Sequence, residues 1–341
     1  MRTMIKGICA LYCRFVSVSV SLAVVATLLF ALLPPLSAEE ANDFHSDGTS
    51  TTEDIKSRAP SYSPGGTISF GMTVPDDGFP GTVKVHFSAR RVWQNIWSER
   101  RACSGTLIAP DVILTALHCA LDKEGRLRPH FRWGMRSVGD LPRIHGRESL
   151  TGGDYYWPAD PMEYVRNVVG EIVKQPRKDR DLIAIRIGNP VPGSTRRVVP
   201  VLRPEQLAAY PFTAWVGWGM TEVSTRTTEL NYISIPVNPA DLGSTLIPAS
   251  RPVRLKDGSF SSGVCGGDSG GPLYAMRTTE DLVNVRLLGV IHAYRPPMPL
   301  PPNWAALSDT ERCILAGNQS LAVNMIRQTA FIEAALATLA Q

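Results

Sequence analysis

This sequence predicts an all-β chain closed by a C-terminal helix, and three observations carry that expectation. Short apolar runs, some alternating with period 2, recur along most of the chain. Gly, Pro and Asp separate them, which argues for an antiparallel sandwich or barrel. The tail alone, Val323 to Leu339, keeps a helical apolar pattern without Gly or Pro. At 341 residues and 44% hydrophobic the chain can bury a large core. Its 28 Gly and 27 Pro show no period, which excludes collagen-like and solenoid architectures. A net charge of +4 is small for this length and argues against obligate nucleic-acid binding.

Residues 1–38 read as an export signal, either a cleaved signal peptide or a retained signal anchor. Arg2, Lys6 and Arg14 give a positive flank, and residues 15–33 run uncharged. Pro34 and Pro35 then break the helix, and Leu36-Ser37-Ala38 ends on a small residue that a signal peptidase accepts. The apolar run is long for a signal and long enough to be a possible membrane anchor. Both readings export the remainder of the chain. Residues 39–67, rich in Ser, Thr, Asp, Glu and Pro, read as a linker or propeptide. A compact domain is expected over residues 68–341.

Strands are expected at Val83 to Phe87, Gly105 to Ile108, Val112 to Thr115 and Val168 to Val173. Further strands are expected at Leu182 to Ile187, Ala214 to Trp218, Tyr232 to Val237 and Leu287 to Ile291. Four cysteines, Cys103, Cys119, Cys265 and Cys313, lie beyond the export segment, and an even number in an oxidising compartment suggests two disulfides. No C-x-x-C or H-E-x-x-H occurs, so a dedicated zinc site has no support in the sequence.

The chemistry concentrates in Cys265-Gly266-Gly267-Asp268-Ser269-Gly270-Gly271-Pro272. Glycines around a serine let the main chain turn tightly and leave its amides uncovered, as an exposed nucleophile with an oxyanion site requires. Gly267 and Ser269 would supply the two amide donors. The bland reading is a turn whose serine merely bonds backbone, but chance gives the six residues from Gly267 to Pro272 about once in 10⁸ positions. Serine needs an adjacent base. Of six histidines, His118 stands out in Leu114-Thr115-Ala116-Leu117-His118-Cys119, after an apolar strand and beside a cysteine that can tether it. A buried carboxylate must then fix the imidazole. Asp181 opens the apolar run Asp181-Leu182-Ile183-Ala184-Ile185, whereas Asp179 sits in a charged stretch and is expected to be solvated.

These motifs resemble the chymotrypsin/trypsin family of serine endopeptidases, over about Ile68 to Leu339, with the order His, Asp, Ser. Cys103-Ser104-Gly105-Thr106-Leu107-Ile108 and Trp215-Val216-Gly217-Trp218-Gly219 are similar to family strands. The resemblance implies two six-stranded antiparallel barrels with His118, Asp181 and Ser269 in the cleft between them. It also implies disulfides Cys103–Cys119 and Cys265–Cys313, hydrolysis of protein or peptide substrates through an acyl-enzyme, and no metal or organic cofactor. Oligomeric state stays open.

Departures from the family bear on specificity. Gly263, followed by Val264, stands where trypsin-type members carry an aspartate, so Arg or Lys preference is not expected. His292 and Tyr294 stand where the family usually has serine and glycine. His292 could bind an acidic side chain, Tyr294 could narrow the pocket, or both could simply fill space. An Arg-rich insertion (Arg126, Arg128, Arg132, Arg136, Arg143, Arg147) is either a basic patch or a solvated face. A Pro-rich insertion, Arg295 to Arg312, enlarges a loop beside the pocket. Ile68-Ser69-Phe70-Gly71 loosely resembles the start whose freed amine pairs with the aspartate before the nucleophile, here Asp268, but Thr67 precedes it; zymogen processing stays open. A non-catalytic relative used for binding is the alternative. The G-x-S-x-G pattern of an α/β-hydrolase also fits Gly267 to Gly271, but its strand–helix context does not.

Overall fold

The computed structural model describes residues 71–90, 96, 102–166, 171–219, 229–234, 237–249, 253–254, 260–261, 264–295, 299–307, 312 and 319–341. All belong to one compact unit, Ser61–Gln341. The export segment, the linker, Ile68, Gly263 and Cys313 lie outside the described residues. No helix among the described residues is long and apolar enough to cross a membrane.

The first half holds β1 (Met72–Thr73), β2 (Thr82–Ser88), β3 (Cys103–Ala109), β4 (Val112–Thr115) and β5 (His130–Met135). It continues with β6 (Ile144–Ser149), β7 (Tyr155–Tyr156), β8 (Met162–Arg166), β9 (Ile172–Pro176) and β10 (Ile183–Arg186). The second half holds β11 (Phe212–Gly217), β12 (Asn231–Ser234), β13 (Leu246–Pro248), β14 (Val253–Arg254) and β15 (Phe260–Ser261). It ends with β16 (Pro272–Met276), β17 (Arg286–Arg295) and β18 (Gln319–Asn324). Among the described residues the α-helices with defined ends are α1 (Leu117–Ala120), α2 (Ser194–Arg197) and α3 (Thr329–Leu339).

Two antiparallel sheets dominate, ordered β6-β5-β2-β3-β4-β10-β7 and β1-β12-β11-β16-β17-β18-β13. They are the two barrels of an all-β fold. Among the described residues each sheet has seven strands, one more than the six the resemblance implies, and one strand of each, β7 or β1, is only two residues long. Register shifts at Leu107/Ala109, Leu273/Tyr274 and Ile291/Ala293 add local twist, which helps a sheet to curl.

Alternation along β4 and β10 decides where the cleft lies. Ile113, Ile183 and Ile185 face the core of the first barrel with Val83, Leu107 and Phe131. Their neighbours Leu114, Leu182 and Ala184 point the other way, into a cluster shared with Val216, Tyr274, Val290 and Val323 of the second sheet. Each fully buried Leu or Ile in these layers contributes about 1.5–3 kcal/mol. Phe331, Ile332, Ala335 and Leu339 of α3 close the shared cluster.

Every expected strand coincides with an observed one to within a few residues, except Val168 to Val173, which β9 meets only at Ile172 and Val173; 167–170 lie outside the described residues and Glu171 precedes the strand. The expected helix from Val323 is corrected: α3 begins at Thr329, and Val323 belongs to β18. Leu321, Ala322 and Val323 are buried between β17 and β13. A run buried on both faces carries no period to separate strand from helix. The strands β1, β5, β6, β7, β8, β13, β14, β15, β16 and β18 have no counterpart among the expected ones.

Candidate active site

His118 sits in the short helix α1 directly after β4. Leu117, Cys119 and Ala120 are buried, so the turn presents only the His118 side chain, one-third exposed, to the cleft. The Cys103–Cys119 disulfide ties this turn to β3, with Cα atoms 6.3 Å apart. That is the pairing the resemblance implies. Cys265 is buried, and its implied partner Cys313 lies outside the described residues.

Asp181 comes after the 3₁₀ turn Lys178–Arg180, just before β10, and is fully buried. Its Oδ1 accepts the backbone N–H of His118 at 2.8 Å, and its Oδ2 lies 2.6 Å from His118 Nδ1. A third donor completes the set: His292 Nδ1, from β17, lies 2.5 Å from the same Oδ2. Burial by itself would raise the Asp181 pKa. The charge and hydrogen bond of His118, joined by those of His292, outweigh it and hold the carboxyl well below the usual range. An ionised carboxylate only accepts, so Nδ1 of each ring carries a proton and neutral His118 is left with an unprotonated Nε2. Burial opposes charge on His118, but Asp181's charge and hydrogen bond prevail, and the imidazole pKa is raised.

Ser269 lines the same cleft as His118 and His292. Its loop is fastened on both sides. The Ser269 carbonyl accepts Ser104 N–H at 2.9 Å, Gly270 N–H donates to Ile291 at 2.7 Å, and Gly271 accepts from Ile291 at 2.8 Å. Ser104 Oγ donates to the Gly267 carbonyl at 3.0 Å and accepts Trp218 N–H at 2.9 Å, pinning the loop from the first barrel. Gly267 has φ +98°, a left-handed conformation that favours glycine. Among the described residues the Ser269 hydroxyl and the N–H groups of Gly267 and Ser269 make no hydrogen bond. A hydroxyl beside two unspent amide donors is what an oxyanion site needs. Bonds between a serine and its base often tighten only once substrate is bound.

Asp268 points inward. Its oxygens accept Gly219 N–H at 2.8 Å and Cys265 N–H at 2.9 Å, and burial pushes its pKa up to about 8 against the pull of those bonds. A Cβ on Gly219 would lie 2.5 Å from the Asp268 carboxyl carbon, so this close approach requires the glycine.

The cleft measures about 1040 Å³. Val264 and Ala293 lie along it, Glu163 and Arg166 come from β8, and Trp304 with Arg312 comes from the Pro-rich insertion. The Arg312 guanidinium stands 5.6 Å over the Trp304 ring. Gly263 lies outside the described residues, as does the side chain of Tyr294 in β17. The Arg-rich insertion does not behave as one surface. Arg136 donates to the carbonyls of Val74 (2.8 Å), Gly78 (3.0 Å) and Pro75; Arg132 is buried beside His86; Arg126 pairs with Asp122 at 2.9 Å. Asp179 is partly solvated and lies 3.8 Å from Arg177 Nε.

A family model described as Trypsin matches residues 68–297. The chain belongs to the trypsin family. It is 29% identical over 229 residues to phenoloxidase-activating factor 1 of Holotrichia diomphalia, covering 61% of this chain and 58% of that one. It is 26% identical over 193 residues to the venom plasminogen activator Haly-PA of Gloydius brevicauda, covering 53% and 66%. A 27% identity over 187 residues with an ovochymase of Halocynthia roretzi covers 52% of this chain and 11% of that one. The chain thus spans under two-thirds of the length of these relatives. Trypsin-family membership, with relatives named as activators, supports a serine protease-type function.

Within this trypsin-family site, sequence reasoning misses the place of His292. Its position suggests a specificity residue or a filler, whereas the structure turns it onto Asp181. The signal available is its place after Gly289-Val290-Ile291, within a strand bonded to the serine loop.

Proposed function

We propose that this chain is an exported serine endopeptidase in which residues 68–341 form the protease domain, residues 39–67 a linker or propeptide, and residues 1–38 the export signal. Ser269 Oγ attacks a peptide carbonyl while His118 Nε2 takes its proton. Asp181 holds the ring tautomer and stabilises the imidazolium, and the Gly267 and Ser269 amides stabilise the oxyanion. His118 then protonates the leaving amine. Water, activated by the same ring, releases the acyl group and regenerates the serine.

The observation that carries this reading is the His118–Asp181 pair, joined at two positions, facing a cleft shared with Ser269 and its unspent amide donors. The missing aspartate at position 263 supports cleavage after residues other than Arg or Lys. The test is covalent labelling of the folded protein by a fluorophosphonate, with Ser269→Ala as control. Labelling that depends on Ser269, with turnover of a peptide library, is the expected result. A correctly folded chain that neither labels nor cleaves would mark a trypsin-fold binding protein.

A further inference from the structure

A serine protease needs one imidazole on its aspartate, and this one has two. His118 Nδ1 and His292 Nδ1 approach the same Asp181 oxygen at 2.6 and 2.5 Å, with the ring centroids 5.9 Å apart and the ring planes at 79°. The potential ligand atoms of the three residues all lie within 4.8 Å of one another. Two imidazoles and one carboxylate are a donor set suited to zinc and its neighbours among the divalent transition metals, and unsuited to Mg²⁺ or Ca²⁺.

We propose that His118, Asp181 and His292 form a binding site for a divalent transition-metal ion of the zinc type, and that its occupation switches the protease off reversibly. The inhibitory half of this inference rests on His118 being the catalytic base; the binding half does not.

The geometry allows it with small displacements. Metal bonds of about 2.0–2.1 Å in a tetrahedral site separate neighbouring ligand atoms by roughly 3.3 Å, so each nitrogen–oxygen contact opens by about 0.7 Å. The His118 side chain is 33% exposed, and both rings line the large cleft, which supplies room for that movement and a path of entry. The His118 backbone N–H on the other Asp181 oxygen orients the carboxylate as an outer-shell donor orients a metal ligand. The disulfide removes Cys103 and Cys119 as competing thiolate ligands.

Inhibition results from the proton inventory. A metal on Nδ1 requires that nitrogen to be unprotonated, so each neutral ring loses its Nδ1 proton to solvent and gains one at Nε2, with no net change. His118 Nε2 then carries a hydrogen and can no longer take the proton of Ser269. The two states differ by one ion and by the tautomer of both rings, and a chelator reverses them.

The test uses the full chain carrying Ser269→Ala, which cannot digest itself, in equilibrium dialysis against Zn²⁺ alone. One ion per chain at this site, released by EDTA, is expected, with Mg²⁺ not competing. Adding His292→Asn retains an N–H donor toward Asp181 but removes the imidazole ligand, and should weaken Zn²⁺ binding on the order of a hundredfold. His292→Ser serves as a second variant, with circular dichroism confirming the fold. Unchanged Zn²⁺ affinity in both folded variants would overturn the site. In parallel, Zn²⁺ should suppress fluorophosphonate labelling of the Ser269 protein, and the His292→Asn chain should label equally with and without the metal. Labelling indifferent to Zn²⁺ in the unsubstituted chain, despite metal bound at the site, would overturn the switch. Absence of labelling even without metal would reject the protease reading and leave the binding result to stand alone.

Discussion

Replacing Asp181 by Asn tests the arrangement at the point where three donors converge. The carboxylate accepts the His118 backbone N–H at 2.8 Å through Oδ1 and the two Nδ1 groups at 2.6 and 2.5 Å through Oδ2. An amide has one accepting oxygen and one donating NH₂. The backbone N–H cannot change its nature, so the amide oxygen turns toward it and the NH₂ faces both rings. Each ring can satisfy that NH₂ only by accepting at Nδ1, which moves its own proton to Nε2. His118 is then in the tautomer that cannot accept from Ser269, and turnover should fall on the order of 10⁴-fold, the loss a wrong-tautomer imidazole produces in proteases of this fold. At about 1.4 kcal/mol per tenfold this is close to 5.5 kcal/mol of barrier. The surviving activity should also titrate differently. Asp181 raises the His118 pKa above the ordinary 6.5, so activity that uses His118 as base should fall on the acid side of that raised value, and the Asn variant should shift this limb downward. The assay is kcat/KM against pH on one peptide, with circular dichroism to show an intact fold. A loss under tenfold, or an acid limb that moves upward, would refute the reasoning.

Three further outcomes are expected from other contacts. Ser104→Ala removes both bonds of Ser104 Oγ and leaves the buried Trp218 N–H without its acceptor, which should lower urea-unfolding stability by about 1–3 kcal/mol and slow turnover by loosening Gly267. Opening the Cys103–Cys119 bridge with paired serines frees a loop of 16 residues and should lower stability by about 3 kcal/mol in the same assay. Asp268, with a folded pKa near 8 against 3.8, binds a proton that the unfolded chain has lost across that window. Its contribution is therefore full below pH 3.8 and declines as pH rises toward 8, at about 1.4 kcal/mol per unit in mid-window. The stability difference between the native protein and Asp268→Asn, measured at several pH values, should track that slope; parallel curves would reject it.

Much of the fold is readable in the sequence because it is local. The expected strand Val112 to Thr115 coincides with β4 to the residue, and Val83 to Phe87 falls inside β2. The tail misleads at Val323 because burial on both faces erases periodicity. The exposed hairpin strands of β6 and β8 carry too little apolar contrast to announce themselves. At the site, the glycine-bracketed serine, the tethered histidine and the aspartate opening an apolar strand are each legible from adjoining residues.

The sequence by itself determined the chemistry on offer: an alcohol in a turn that only glycines allow, an imidazole beside a cysteine, and an acid at a strand mouth. Tertiary structure alone decided their company. Asp181 meets His118 from 63 residues away and His292 from 111, and Ser104 reaches Gly267 across 163. Spacing along a chain specifies local turns and faces. Which buried donors share one carboxylate depends on how two sheets curl and pack, and that is set by the core as a whole.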